Sequence, residues 1–432
     1  MLLTTYGILW RGIMVQSIKN TPSARAISAK SGQLRQSLSR FFRTGSLAIL
    51  ALPMMSFWLS YDNIAWCAFP LLFVFVGLPL LDRILGRDTS EPQVDPEAEE
   101  ENSGFYRSIA LLAAICVIPL MLGVAFLAHR PDMPLWAALL FAFGTGPYVA
   151  MTVNAAHELG HAPHRLDRAV ARFNLAFAGQ VHFTTDHNLC HHSEAATPAD
   201  CASARYGETI YAFWLRETPG ILARAWGVEA RRLAKQNRPA LHWRNRFLQD
   251  WAIGLGAIIG LSLALGGPVI VALLVSLAGT WWCVSTTSYI AHYGLCRKTL
   301  PNGRVEPFNV QHAWNDCHRV SALTAFNVMR HSDHHMRPQR PYQNLSPRLE
   351  APHLPTSLAG CFILASSPGS WFKIMNPKVL QAAGHDPDRV NWNHPDLRTA
   401  WFEGRDSGSG TGLEMPSPAN AAKLIAHNER AA

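Results

Sequence analysis

Charged residues are scarce in this sequence. Of its 432 residues only 16% are Asp, Glu, Lys or Arg, whereas 49% are hydrophobic. A soluble domain carries about 25% charged residues, so the shortage argues against an ordinary cytosolic enzyme. The large apolar content excludes a chain that is disordered throughout, because so much apolar surface needs burial. Since the mean hydropathy is only +0.04, apolar blocks must alternate with polar regions, as in a membrane protein with a substantial water-facing part.

Several metal, redox and nucleic-acid motifs are also missing. None of the eight cysteines belongs to a C-x-x-C pair, which argues against a zinc ribbon, a rubredoxin-type iron site or a thioredoxin motif within this chain. Soluble carboxylate-bridged di-iron proteins have an E-x-x-H motif on each of two helices, and this sequence does not show that pattern. The net charge is +8, but no basic stripe interleaved with aromatic residues accompanies it, so we expect no nucleic-acid partner.

Acidic residues are absent from residues 1–45, which contain seven Lys or Arg. This composition resembles a transit peptide, but we favour the alternative of a basic cytoplasmic arm before a membrane domain. We expect that domain to cover residues 46–403 and to include an acidic loop at 88–101. The Gly- and Ser-rich segment 404–432 is predicted to be a disordered tail.

Five long apolar blocks predict membrane spans, each of which needs about 20 apolar residues. The last block is long enough for two helices, and Gly266-Gly267-Pro268 would form the turn between them. The sequence therefore predicts an all-α integral membrane protein with six transmembrane helices. The blocks are Ser46–Ser60, Ile64–Leu81, Ser108–Ala128, Pro134–Ala155 and Trp251 to about Ile290.

Charge predicts the orientation of these spans. The basic arm places the N-terminus in the cytoplasm, because Lys and Arg are enriched on that side of a membrane. The Arg-rich region 161–246 and the chain after Ala291 then lie in the cytoplasm as well. The part of this region from Arg216 to Arg246 could instead be a dock for an acidic protein, and composition alone does not separate the two interpretations. A cytoplasmic cap over the six spans is expected in either case.

Histidines form the strongest pattern in the chain. Nineteen are present, and nine fall into four groups beside the predicted spans, all on the predicted cytoplasmic side. Histidines at i and i+4 share one helical face, so both imidazoles can reach one metal ion. The groups are His157 with His161; His187 with His191 and His192; His292; and His331 with His334 and His335.

The number of histidines favours one type of metal centre. H-E-x-x-H at 157–161 is also the signature of zinc proteases, but such a site uses three protein ligands and would leave six of the nine unexplained. Nine imidazoles suit two redox metals better, and iron is the natural choice for oxygen chemistry on apolar substrates. We therefore predict a histidine-rich di-iron centre at the membrane surface.

These motifs resemble those of the membrane-bound alkane 1-monooxygenases (alkane omega-hydroxylases), relatives of xylene monooxygenase and of the fatty-acid desaturases. The resemblance extends from about Ser46 to Leu380. It is carried by H-E-L-G-H at 157–161, H-x-x-x-H-H at 187–192, the segment 196–205, His-Tyr-Gly-Leu at 292–295, His-Ala-Trp-Asn at 312–315, R-H-S-D-H-H at 330–335 and Tyr-Gln-Asn-Leu at 342–345. The R-H-S-D-H-H form and the single histidine at 292 favour alkane hydroxylases over desaturases.

The resemblance implies the ligands of the metal centre. In the family nine histidines hold two irons, and all nine match here, although the sequence does not show how they divide between the irons. Ala291, Cys190 and the segment 162–164 depart from the family pattern. These departures leave every ligand in place but affect the surroundings of the ligands and the choice of substrate.

Ligating imidazoles need a partner for their second ring nitrogen. The acids nearest to the histidines in sequence are the candidates: Glu158, Asp186, Asp200 and Asp333. Three further histidines, His182, His312 and His318, could support the centre or move protons, but a structural role is favoured for each. His164 is expected at the surface.

The resemblance also implies the reaction and its partners. A terminal C–H bond of a medium-chain n-alkane, or of a similar apolar molecule, would be hydroxylated to a primary alcohol with O2 as co-substrate. Electrons would come from a separate rubredoxin and its reductase, and the apolar substrate would enter from the membrane lipid of a bacterial inner membrane. The alternatives are a fatty-acyl desaturase or hydroxylase, a xylene-type methyl hydroxylase, and a metal-binding membrane protein without turnover.

Overall fold

The structure is a computed structural model that describes residues 22–92 and 96–399, with side chains described for 41–92 and 103–399. It is mostly helical, and no strand occurs among these residues. Six helices are long and apolar enough to cross a membrane, and two groups of histidines lie where they could hold metal ions. The predicted fold class, an all-α six-span membrane protein with a histidine-rich site, is confirmed.

The helices are numbered here in chain order. The six spans are α1 to α4, α8 and α9, and the remaining helices lie in the segments between and after them. They are α1 (Pro22–Leu59), α2 (Ile64–Leu85), α3 (Ser103–His129, in a helix that begins at Pro96), α4 (Leu135–His161), α5 (Arg165–Phe177), α6 (183–194), α7 (Ile210–Ala234), α8 (Arg246–Leu265), α9 (Gly267–His292), α10 (Arg319–Thr324), α11 (His331–Met336), α12 (Leu358–Ala365) and α13 (Pro368–Ala382).

Glycines allow the close packing of α4 and α9, the two spans that carry site histidines. A Cβ atom added to Gly146 would lie 2.7 Å from the backbone of Gly279, so neither position has room for a side chain. The hydroxyl of Thr280 donates a hydrogen bond to the carbonyl of Gly146 at 3.1 Å. Small residues of this kind let membrane helices approach closely. The contact fixes the ends of both helices, His161 and His292, at the same end of the bundle.

The turn between α8 and α9 lies where the sequence predicts it. Gly266 has a φ of +108°, a conformation that side-chain-bearing residues rarely adopt. Pro268 follows in the first turn of α9, where its missing N–H costs no helical hydrogen bond. The long apolar block therefore divides into two helices at this turn.

Two helices begin inside segments that the sequence assigns to other structures. Because α1 begins at Pro22, residues 22–45 of the predicted arm continue as a helix into the first span. The helix of α3 begins at Pro96, inside the predicted acidic loop at 88–101. The predicted tail, 404–432, lies outside the described residues, as do residues 1–21.

Candidate metal centre

Nine histidines come together beyond the ends of α4 and α9, and they are the nine that the sequence singles out. They form two groups, and within each group the ring nitrogens lie within 4.8 Å of one another. Each group could hold a metal ion. The five-histidine group is His157, His161, His187, His192 and His334, and the four-histidine group is His191, His292, His331 and His335.

The five-histidine group is built by three helices. The last turn of α4 places the Nε2 atoms of His157 and His161 3.1 Å apart. In α6 the backbone of His187–His191 is π-helical, so side chains five positions apart come together. The Nε2 atoms of His187 and His192 are accordingly 3.0 Å apart. The i, i+4 rule would pair His187 with His191, but the wider turn assigns His191 to the other group.

The four-histidine group lies deeper in the protein, and all its members are buried. The Nε2 atom of His331 is 2.9 Å from that of His292 and 3.1 Å from that of His335. His331 and His335 are one turn apart on α11, whereas His292 is the last residue of α9. The ring of His191 lies 4.9 Å from the rings of His292 and His335.

The nitrogen–nitrogen distances fit metal ligands. Metal–imidazole bonds are about 2.0–2.1 Å long, so two nitrogens at right angles around one ion lie about 2.9 Å apart. The facing Nε2 pairs are separated by 2.9–3.1 Å. The buried Nε2 atom of His334 has no hydrogen-bond partner among the described residues. An all-imidazole donor set suits iron, zinc, copper or nickel, so these side chains are compatible with iron.

Burial keeps most of these imidazoles in the form that binds metals. Burial, reinforced by neighbouring histidines, holds the pKa values of His187, His334 and His335 well below the usual range. The pKa of His192 is lowered for the same reasons. Neutral imidazole is the metal-binding form, so these side chains need not lose a proton near neutral pH.

One carboxylate holds a histidine of the centre in place. Asp200 lies 2.9 Å from Nδ1 of His191 and accepts a second hydrogen bond from Ser203. Burial lowers the pKa of His191, but Asp200 and Asp186 outweigh it, so the pKa is raised overall. With Nδ1 directed at the carboxylate, Nε2 is left for a metal, the arrangement common among metal-binding histidines.

The chain is similar in sequence to known proteins. The fatty acid desaturase family model matches residues 134–359. Over 347 residues the chain is 37% identical to an alkane 1-monooxygenase of Ectopseudomonas oleovorans, covering 79% of this chain and 85% of that protein. An alkane 1-monooxygenase of Alcanivorax borkumensis is 35% identical over 75% of this chain and 80% of its own length. The chain belongs to the alkane 1-monooxygenase family. It is therefore an oxidoreductase of the monooxygenase class, as the sequence predicts.

A more distant relative has a different substrate in its name. The hydroxylase component of the xylene/toluene monooxygenase of Pseudomonas putida is 30% identical, over 71% of this chain and 80% of that protein. Like the alkane 1-monooxygenases, it aligns with most of the chain.

Among the described residues, the side chains of the other predicted acids form no hydrogen bond with the side chains of the nine histidines. Asp186 forms an ion pair with Arg224 at 3.1 Å. Asp333 is buried and pairs with Arg340 and Arg348 at 2.9 and 2.8 Å. Glu158 accepts a hydrogen bond from the backbone of the segment that follows α11. Their contacts organise the backbone around the centre.

The remaining predicted histidines lie outside the two groups. His312 pairs with Glu306 at 3.1 Å, and His318 lies 2.6 Å from Asp316. His164 is exposed and precedes α5. His182 is different, because its ring is buried against Trp281 with a centroid distance of 5.0 Å, and its Nδ1 has no partner among the described residues.

The Arg-rich region contains an internal residue that the sequence does not distinguish. Arg224 on α7 forms ion pairs with Asp186, Glu194 and Asp200, each at 3.0–3.1 Å. It therefore links α7 to the loop that supports His191. The position of Arg224 on the helix is consistent with this internal role. Along α7 about every fourth residue is buried, and Arg224 is next to one of these positions: 213, 217, 221, 225, 229 and 233.

Proposed function

We propose that this protein hydroxylates the terminal C–H bond of a medium-chain n-alkane, with O2, to a primary alcohol at a non-haem di-iron centre. Its membership of the alkane 1-monooxygenase family supports the reaction class. The observation that carries the proposal is the pair of adjacent histidine groups, because two metal ions then have separate sets of imidazole ligands.

The nine histidines are the proposed iron ligands. The five-histidine group would hold one iron and the four-histidine group the other. Iron bound there supplies the activation of dioxygen. The chain itself orients the imidazoles: Asp200 fixes His191, the carbonyl of Val328 lies 2.9 Å from Nδ1 of His331, and Arg224 holds Asp200 from α7.

An apolar cavity next to the centre is the proposed binding site for the alkane. It is lined mainly by apolar side chains of α2, α4, α9, α10 and α12, as binding sites for apolar small molecules are. Asn154 borders it one helical turn before His157, so the cavity approaches the five-histidine group along α4. Trp58, on α1, is 66% exposed and does not border this cavity.

Electrons would come from a rubredoxin that binds where the five-histidine group is closest to the surface. His192 is only half-buried, and the neighbouring Leu189 is 63% exposed. Arginines surround this surface. Arg168 donates to carbonyls just beyond the end of α4, Arg297 donates to carbonyls at the end of α6, and the exposed Arg337 follows α11 directly. An acidic electron carrier would be attracted by these charges.

We place the protein in a bacterial inner membrane with the centre on the cytoplasmic side. The six spans support a multi-pass membrane protein. The arginines around the centre support the orientation, because Lys and Arg accumulate on the cytoplasmic side of membranes.

Product analysis tests the proposed function. Membranes that contain the protein, rubredoxin and rubredoxin reductase are incubated with n-alkanes of increasing length under ¹⁸O₂. A primary alcohol carrying one ¹⁸O atom, together with two irons per chain by metal analysis, is expected. A new double bond in membrane acyl chains, with no alcohol, would show a desaturase instead. The 30% identity to the xylene/toluene enzyme makes xylene the second substrate to test.

A further inference from the structure

A second cavity lies beside the histidine groups and differs from the apolar one. It is a small cavity between α6, α7 and α9. His187 of the five-histidine group and His191 of the four-histidine group both border it, as does Glu217 on α7. The proposed function assigns no role to Glu217 or to this cavity.

Glu217 is a buried acid without a cation to neutralise it. Glu217 is 3% exposed, and its carboxylate accepts a hydrogen bond from the hydroxyl of Ser285 on α9. Among the described residues it has no ion-pair partner, since the neighbouring Arg216 pairs with Glu208 at 2.7 Å. A buried carboxylate of this kind is stabilised by taking up a proton.

The surroundings adjust the proton affinity of Glu217 to neutral pH. Burial raises the pKa of Glu217 to about 7, Asp186 and Asp200 act in the same direction, and Ser285 and Arg216 oppose them. The group is therefore mostly protonated below pH 7 and mostly ionised above it. His182 also borders the cavity, and burial lowers its pKa to about 3, so that ring is neutral.

Unpartnered polar atoms indicate that the cavity holds water. Both polar atoms of the Gln180 side chain, and Nδ1 of His182, are buried without a protein partner among the described residues. Both residues border the cavity. Buried polar groups are almost always hydrogen-bonded, and where the protein provides no partner an ordered water does so. Such water would connect Glu217 with the two histidine groups.

We propose that Glu217 passes protons, through water in this cavity, to the dioxygen reduced at the centre. This rests on the proposed function, in which an alkane RH, O2, two protons and two electrons give ROH and water. One C–H bond and the O–O bond break, and a C–O bond and new O–H bonds form. The one-electron iron carrier rubredoxin supplies the electrons, and bulk water supplies the protons through Glu217.

The first test does not need turnover. Infrared spectra of the zinc-loaded protein, which cannot reduce O2, are recorded as the pH is varied. A carboxylic-acid carbonyl band should appear as the pH falls through about 7 and should shift promptly on transfer into D₂O. The difference between the wild-type and Glu217→Gln spectra should contain this band, whereas the difference between the wild-type and Glu229→Gln spectra should not. Glu229 is a matched control, an equally buried acid on the same helix that is ion-paired with Arg232.

The second test measures the reaction. Glu217→Gln should lower kcat about 100-fold, at the lower end of the range for a lost proton donor, with unchanged iron content and unchanged KM for the alkane. Glu217→Asp should recover part of the rate, and Glu229→Gln should stay near the wild-type rate. The solvent deuterium isotope effect on kcat should increase in Glu217→Gln, which a purely structural loss would not cause.

Each outcome separates this proposal from the proposed function. Wild-type kcat and an unchanged isotope effect in Glu217→Gln would overturn the proton route even if alkane is hydroxylated. So would a Glu217 band in the wild type that exchanges only over hours. If Glu217→Gln fails to fold, Glu217→Asp identifies the band, because it keeps a carboxyl group but shifts its frequency. If the wild type makes no alcohol but the band titrates and exchanges as expected, the proposed function fails and the water-connected acid remains.

Discussion

Enlarging Ala150 should shorten the longest alkane that the enzyme accepts. Ala150 lies on α4 and borders the apolar cavity, where it is 4% exposed. It precedes His157 by seven residues, which is about 10.5 Å along a helix. In Ala150→Leu three additional carbon atoms would occupy the cavity at that depth, whereas the part of the cavity closer to the centre would be unchanged.

The size of the effect follows from hydrophobic burial. Each buried methylene contributes about 0.8 kcal/mol, so loss of room for three methylenes costs about 2.4 kcal/mol. This corresponds to a decrease of roughly 60-fold in kcat/KM. Only alkanes that extend past Ala150 should be affected, because shorter chains end before they reach it.

Competition between alkanes of different length, with the alcohols quantified by gas chromatography, measures this change. The wild type should favour longer chains up to a limit, and Ala150→Leu should lower that limit with little effect on short chains. Trp58→Ala is the control, because Trp58 is outside the cavity. A uniform loss of rate at every chain length in Ala150→Leu would refute the assignment of this cavity to the alkane.

Three further predictions concern the metal, the topology and the electron donor. His292→Ala should abolish activity and lower iron content measured by metal analysis, because the four-histidine group would keep only three ligands. A reporter fused after Met133 should be found outside the cell and one fused after His335 inside, as judged by activity of compartment-specific reporters. Arg337→Glu should slow turnover at limiting rubredoxin, and the effect should shrink as salt rises, since salt screens such attraction over about 10 Å at 0.1 M.

Each of these predictions has its own control. His129→Ala should keep its iron, because His129 lies at the opposite end of the bundle from the centre; full activity in His292→Ala would exclude the nine-ligand assignment. A reporter on the same side at both fusion points would reverse the topology. Arg231→Glu alters an exposed charge further along α7, and an equal loss of rate there would move the docking surface away from Arg337.

The spans could be predicted because hydropathy is a local property of the sequence. Each of the six observed spans overlaps a predicted block, and the break at Gly266 follows from the conformation that glycine alone adopts easily. Helix ends in polar segments were harder to predict. Pro96 starts a helix within an acidic stretch, and proline is favoured in a first helical turn. In the sequence this preference was a weaker indication than the acidic composition, which suggested a loop.

The nine histidines could be predicted, but their division could not. Spacing shows which side chains share a helix face, and it does not show whether a helix has a π-helical turn. That turn places His192, and not His191, beside His187. Asp200 was one of four equivalent candidates in the sequence for supporting a site histidine. The structure shows that its carboxylate contacts His191.

Arg224 and Glu217 show why the ion-pair partners of a side chain cannot be predicted from the sequence. Arg224 and Glu217 are on one helix, seven residues apart, in a region that composition describes as basic. Charge alone suggests a surface for both. Their surroundings depend on α6 and α9, which come from distant parts of the sequence. Tertiary packing therefore decides that Arg224 is ion-paired and that Glu217 is not.

The π-helical turn at His187–His191 also limits how the length of this segment can change. An α-helix repeats every 3.6 residues, so removal of one residue from 188–190 would let the segment close into an ordinary turn. His192 would then follow His187 by four positions instead of five. The direction of the His191 side chain, which now faces Asp200, would change as well. The segment therefore tolerates substitution at its exposed Leu189 far better than insertion or deletion, and gaps in related sequences should avoid it.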